Sequence, residues 1–233
     1  MHLWSADLDD PAHDVGTAAR LLSPDESDRA RRFHVERDRR RFVIGRALLR
    51  IILGRYLDRD PAGLRFAYGE RGKPALADEC LGLQFNLSHS SSVAAYAVAR
   101  HRAVGIDIER VRDLPDMDVI ATRFFASSEA QLLRALPRVA KPAAFFSCWT
   151  RKEAYIKALG TGLAARLDTF VVACLPDEPP RLRWVADDPS EPTRWSFRAF
   201  TPADEYVGAV AVEGRVVRPR YWRAPAVRGD SDP

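Results

Sequence analysis

Cysteine is scarce in this chain: three residues, Cys80, Cys148 and Cys174, in 233. They are odd in number and far apart, so neither a disulfide framework nor a C-x-x-C metal pair is available. No run approaches the ~18 apolar residues of a membrane-spanning helix. The acidic start MHLWSADLDD has no apolar core and does not read as a signal peptide. The five histidines, His2, His13, His34, His89 and His101, show no zinc-ligand spacing. No G-x-S-x-G elbow surrounds Ser88. The Gly-rich Tyr68-Gly69-Glu70-Arg71-Gly72-Lys73-Pro74 is not a P-loop, because Ala67 and Pro74 stand where Gly and Ser/Thr are required. These absences exclude a disulfide-stapled secreted domain, a membrane span, a zinc ribbon and the common hydrolase and NTPase signatures. They point to a reduced, cytoplasmic protein.

What remains is a chain of ordinary globular composition, 46% hydrophobic and 29% charged, long enough to bury a good core. Its net charge of +4 is carried mostly by arginine, and suits an anionic partner without choosing one. Arg29, Arg31, Arg32, Arg37, Arg39, Arg40, Arg41, Arg46 and Arg50 form a basic run. Glu36 and Asp38 interrupt it and no nucleic-acid motif accompanies it, so a solvated helix face or phosphate contacts are expected rather than nucleic acid.

Ser23-Pro24-Asp25-Glu26 has the cap, Pro and Glu spacing of a helix start. Apolar positions from Val43 to Leu53 predict a second helix over about 37–57. Short strands are expected near 64–68, 83–87, 93–99 and 103–109, with a weak edge strand over 2–8. Ser127-Ser128-Glu129 opens a further helix, and Pro142 opens a longer one that Gly160 closes. Strands follow near 170–174, 182–185, 194–200 and 206–212. A helical block followed by strands thus occurs twice. The tail from Arg218 is rich in Arg, Pro and Gly and is expected to be loosely held.

Three stretches carry candidate chemistry. In Gly105-Ile106-Asp107-Ile108-Glu109, strand alternation puts Asp107 and Glu109 on one face. Paired carboxylates repel unless a cation or proton lies between them, and oxygen ligands suit Mg²⁺; a solvated acidic edge is the other reading. In Trp149-Thr150-Arg151-Lys152-Glu153-Ala154-Tyr155-Ile156-Lys157, helical spacing sets Glu153 and Lys157 together at the edge of an apolar stripe of Phe145, Trp149 and Ile156, as a great many surface pairs are. Lys152 falls inside that stripe, where it must snorkel out or meet a carboxylate or phosphate. In Asn86-Leu87-Ser88-His89-Ser90, a His next to a Ser in a strand points away from it. That geometry disfavours a nucleophile–base pair and leaves a ligand-holding role or a structural histidine.

Taken in order, FNLSHSSS, VGIDIERV, RFFASSE and WTRKEAYIKALGTGL resemble the 4′-phosphopantetheinyl transferases of the larger single-chain type. The family pattern G-(I/V)-D-x-E followed by (F/W)-(S/C/T)-x-K-E-(A/S)-x-x-K is met at every position. The resemblance implies an α+β fold of two similar α/β halves related by a pseudo-twofold, about 1–103 and 104–217, with the tail 218–233 outside them and the site between the halves in a monomer. It implies transfer of the phosphopantetheine arm of coenzyme A to a serine of an apo acyl or peptidyl carrier protein, releasing adenosine 3′,5′-bisphosphate. Asp107, Glu109 and Glu153 would hold Mg²⁺, or Mn²⁺ in its place. Glu153 would act as base, and Lys157 with Asp107 would complete the catalytic set. Arg29, Arg71, Lys73, Asn86, Ser88, His89, Asp107 and Lys157 would contact coenzyme A, and the run from Gly160 to about Arg166 would dock the carrier. Glu26 and Phe42 depart from the residues of some relatives at the nucleotide end. A coenzyme A- or carrier-binding module without catalysis is the alternative; neither nucleic acid nor membrane is expected as a partner.

Overall fold

The structure is a computed structural model and describes residues 1–69, 72–78, 82–160, 166–215 and 218–229. The first strand, β1 (His2–Asp7), leads into α1 (Val15–Arg20), α2 (Pro24–Arg31) and α3 (Glu36–Leu57). α2 begins where its sequence says: the Glu26 carboxylate accepts from the Ser23 N–H at 3.0 Å, with Pro24 in the first turn. Strands β2 (Phe66–Tyr68) and β3 (Pro74–Leu76) form a small antiparallel hairpin. Then come β4 (Leu83–Ser90), β5 (Val93–Arg100) and β6 (Val104–Arg110).

The remaining elements are α4 (Met117–Phe124), α5 (Ser127–Ala135), α6 (Lys141–Leu159), β7 (Phe170–Val172), β8 (Leu182–Val185), α7 (Glu191–Arg194), β9 (Trp195–Phe200), β10 (Tyr206–Glu213) and β11 (Arg220–Arg223). α6 ends at Gly160, whose φ of 74° only glycine adopts without strain, and the Gly160 N–H returns to Ile156 O at 3.0 Å.

Two principal sheets result, in the orders β11-β1-β5-β4 and β6-β10-β9. They pack face to face, and alternation along two strands shows how. In β5, Ala94, Tyr96 and Val98 enter the core beneath α3, whereas Val93, Ala95, Ala97 and Ala99 enter a core shared with Ile106, Ile108, Val210 and Val212. In β10, Val210 and Val212 face that middle core, while Ala209 and Ala211 pack beneath α6. The layers therefore run helix, sheet, sheet, helix, with a long helix on the outer face of each sheet. Both inner strands are buried on two faces, which accounts for their nearly continuous apolar runs.

Two expectations change. β1 is not an edge strand but lies between β5 and β11. The tail is not loose over 220–223: β11 pairs in parallel with β1, and Trp222 stacks on Trp4 with ring centroids 5.6 Å apart. Pro and Gly in the tail outweighed four residues, Arg220 to Arg223, that fit a strand.

Candidate functional site

The site forms where α6 lies against β6. A Cβ added to Gly105 would fall 2.1 Å from Ala154 O and 2.3 Å from Ala158 N, so helix backbone rests directly on strand backbone. That contact fixes the helix along the strand. Glu153 and Lys157, one turn apart on α6, consequently line the same cavity of about 670 Å³ as Asp107 and Glu109, two residues apart on β6. Trp149 and Ile156 supply its apolar wall.

The cavity is charged, and two of its carboxylates are buried. Asp107 is 4% exposed and Glu153 6%. Lys157 Nζ donates to Asp107 Oδ1 at 2.6 Å and to Ser88 Oγ at 3.2 Å. Asp107 Oδ2 and Glu153 Oε1 are buried without any hydrogen-bond partner. The carboxyl of Glu153 is pushed up to about 7, first by burial and then by Asp107, with Glu109 adding to it against the pull of Lys157. Glu109 is raised as well, mainly by burial, although the Ser90 hydroxyl bonded to it acts in the opposite direction.

Three carboxylates thus face one ammonium, and two of their oxygens lack a partner. This surplus of negative charge and all-oxygen donor set fit a hard divalent cation. Among the described residues, the trio of His, Cys, Asp or Glu ligand atoms drawn within 4.8 Å of one another lies elsewhere, at Glu129, Cys148 and Cys174.

The stretch from Asn86 to Ser90 holds this arrangement from the opposite strand. β4 and β6 share no backbone ladder; side chains make one instead. Asn86 Oδ1 accepts from Ile106 N at 2.8 Å, Ser88 Oγ from Ile108 N at 3.4 Å, and Ser90 Oγ from Arg110 N at 3.2 Å. The hydroxyls then donate to the carboxylates, Ser88 to Asp107 Oδ1 at 2.8 Å and Ser90 to Glu109 Oε2 at 2.7 Å. Within the protein, the Ser88 oxygen serves Asp107, Lys157 and Ile108. Asn86 likewise has its carbonyl oxygen engaged. Ser90 was not singled out from the sequence, though the alternation Asn86, Ser88, Ser90 was its signal.

His89 does not join this ladder; it is exposed and lines the same cavity. Its pKa is lowered by desolvation and then by Lys157, Arg29 and Arg41, with Asp107 acting in the opposite direction. Arg29 lines a second cavity of about 580 Å³, with its guanidinium 5.3 Å over the ring of Phe42. Glu26 is buried there between Arg46 and Arg50, to both of which it is hydrogen-bonded. Its carboxylate therefore organises the arginines. Much of the basic run is likewise engaged internally: Arg41 pairs with Asp9, and Arg40 reaches the carbonyls of Asp10 and His13.

Lys73 does not extend a free ammonium into the cavity; it donates to the carbonyls of Lys157, Ala158 and Val104. Arg71 and residues 161–165 of the expected docking run lie outside the described residues. Lys152, the lysine inside the apolar stripe, has found a carboxylate: Nζ pairs with Glu129 at 2.7 Å and also donates to Leu167 O and Phe170 O. Glu129 completes its shell with the N–H groups of Ala126 and Val172.

Comparison with known proteins gives one consistent result. A family model described as the 4'-phosphopantetheinyl transferase superfamily matches residues 103–211, and one described as 4'-phosphopantetheinyl transferase, N-terminal, matches residues 9–101. The chain is 44% identical over 224 residues to the 4'-phosphopantetheinyl transferase HetI of Nostoc sp., covering 95% of this chain and 91% of that one. It is 34% identical over 178 residues to a 4'-phosphopantetheinyl transferase of Bacillus subtilis, covering 74% and 76%. To the transferase Sfp of Bacillus subtilis strain 168 it is 34% identical over 152 residues, covering 65% and 66%.

Proposed function

The chain belongs to the 4′-phosphopantetheinyl transferase superfamily, and from that premise we propose that it transfers the phosphopantetheine arm of coenzyme A to a serine of an apo acyl or peptidyl carrier protein. Adenosine 3′,5′-bisphosphate is the leaving group. The observation that carries the reading is the cluster of Asp107, Glu109 and Glu153 around one cavity, with unpartnered oxygens on Asp107 and Glu153 and Lys157 beside them.

Asp107, Glu109 and Glu153 would hold Mg²⁺, which when bound neutralises pyrophosphate charge and improves the leaving group. Glu153 takes the proton of the carrier serine. Lys157 offsets negative charge developing on the leaving phosphate oxygen. Ser88 and Ser90 hold Asp107 and Glu109 in register. His89, surrounded by cations and accessible, together with Arg29, faces the phosphates of coenzyme A. Trp149 and Ile156 give the pantetheine arm an apolar wall and help exclude water. Both sides of the cavity come from one chain, which supports a monomer, with 1–103 and 104–217 as its halves. Among the described residues no helix is long and apolar enough to cross a membrane; use of coenzyme A and the buried free thiols of Cys148 and Cys174 support a cytoplasmic location.

The test is a loading assay. Incubation with coenzyme A, Mg²⁺ and a panel of apo acyl and peptidyl carriers should add one phosphopantetheine arm to the carrier serine by mass spectrometry. Absence of loading across a panel that a reference transferase modifies would reject the reading, and coenzyme A binding without transfer would leave a binding module in its place.

A further inference from the structure

Lys73 precedes Pro74, the first residue of β3 in the small hairpin, and its carbonyl accepts from the Gly69 N–H at 3.0 Å. Its Nζ lies 2.6 Å from Lys157 O, 3.3 Å from Ala158 O and 3.3 Å from Val104 O. An ammonium has three donors, and three carbonyls meet them. Two belong to the last turn of α6, where carbonyls have no intrahelical partner and the helix dipole favours a cation. The third belongs to the residue before Gly105, the glycine against which the α6 backbone rests. One side chain from the hairpin therefore ties down the end of α6 and the start of β6, the two elements that carry Glu153, Lys157, Asp107 and Glu109. It also forms part of the wall between the catalytic cavity and a neighbouring one of about 630 Å³, both of which Lys73, Pro74 and Gly160 line. Burial lowers the pKa of Lys73 to about 8, a cost that the carbonyls offset.

We infer that Lys73 is a positioning residue for phosphopantetheine transfer, acting through the C-terminal turn of α6 rather than by holding a phosphate of coenzyme A; the inference rests on the transfer activity proposed above. Lys157 is the residue through which it acts. The backbone carbonyl of Lys157 is anchored by Lys73, while its side chain is aimed at Asp107 and Ser88. Releasing the anchor loosens the turn and lets the ammonium of Lys157 drift from Asp107 and Ser88. Misplacement on the ångström scale costs roughly tenfold to a hundredfold in turnover.

The variants are Lys73→Met, which keeps the length and removes the donors, and Lys73→Arg, which keeps the charge. Turnover with an apo carrier, the coenzyme A dissociation constant by calorimetry, and backbone amide exchange over 156–160 are measured well below the melting temperature. Lys73→Met is expected to lose turnover by roughly tenfold or more with the dissociation constant within about twofold of wild type. Amide exchange should be faster over 156–160 and unchanged over 144–150, and Lys73→Arg should recover part of each effect. Coenzyme A affinity weakened about fivefold or more would overturn the inference in favour of a phosphate ligand. Unchanged turnover would overturn it too, as would unchanged exchange. Should the wild type load no carrier, the transfer reading fails, and the exchange measurement alone decides whether Lys73 holds the helix end.

Discussion

Replacing Glu153 by glutamine separates the cost of the site from its use. The carboxyl is raised from 4.5 to about 7, chiefly by burial and then by Asp107. That rise corresponds to ~3 kcal/mol at about 1.4 kcal/mol per pH unit. Because the folded-state pKa exceeds the unfolded one, the folded chain binds more protons between pH 4.5 and about 7. Glu153 is thus harmless to stability below pH 4.5, and stability falls as pH rises through about 7, where the full cost is present. Glutamine has the same shape without the charge. Metal-free Glu153→Gln should therefore melt higher than wild type at pH 7.5, by on the order of 5–10 °C for a chain of this size. The two should converge toward pH 5. Mg²⁺ should raise the melting temperature of wild type more than that of the variant, because the cation offsets the same repulsion. Turnover should fall by roughly 10²–10⁴ through loss of the base. Scanning calorimetry from pH 5 to 8, with and without Mg²⁺, measures the stability terms. A variant that melts at or below wild type at pH 7.5, or follows the same pH dependence, would refute the reasoning that Glu153 is a strained, desolvated carboxylate.

Three further outcomes follow from the packing. Gly105→Ala would drive a methyl group into the backbone of α6 at Ala154 O and Ala158 N, atoms that cannot rotate away; a loss above ~4 kcal/mol is expected, and an unchanged urea midpoint would show that the helix can move off the strand freely. Lys152→Met strands Glu129, 2% exposed, without its cation; ~3–5 kcal/mol should be lost in urea unfolding, and the double variant with Glu129→Gln should regain part of it. His89→Ala should raise KM for coenzyme A by about fivefold or more with a smaller effect on kcat, as expected for a group that binds rather than reacts; a kcat effect alone would place His89 in the chemistry instead.

Most elements could be read from the sequence because local signals agree with tertiary ones. The Ser23 cap and Pro24 open α2, Gly160 closes α6, and the period-2 spacing of Asp107 and Glu109 gives β6 its two faces. The site was legible to the extent that it is made of short-range spacing: Asp107 with Glu109, Glu153 with Lys157. What could not be read depends on which strand lies against which. Ser88 has the same local sequence whether it faces a phosphate or Asp107; only the approach of β4 to β6 decides. Lys73 looked available because a Gly-rich turn ordinarily leaves its cations in water, and nothing local announces three helix and strand carbonyls 31 to 85 residues away. Lys152 was flagged as needing a partner, but Glu129 lies in another helix. The tail was misjudged because a four-residue strand among prolines depends on β1 for its existence.

The side-chain ladder between β4 and β6 has a consequence for chain length. Asn86 meets Ile106, Ser88 meets Ile108 and Ser90 meets Arg110, each across a separation of 20 residues. The two strands therefore run parallel in a fixed count, with β5 and its two turns as the measured interval. A single inserted residue in either turn that was not absorbed there would slip the count by one. Asp107 and Glu109 would then exchange places with Ile106 and Ile108, turning carboxylates into the middle core and isoleucines into the catalytic cavity. The interval between the two motifs is thus as much part of the active centre as the residues at its ends, and a turn that drifts in length must do so by looping out.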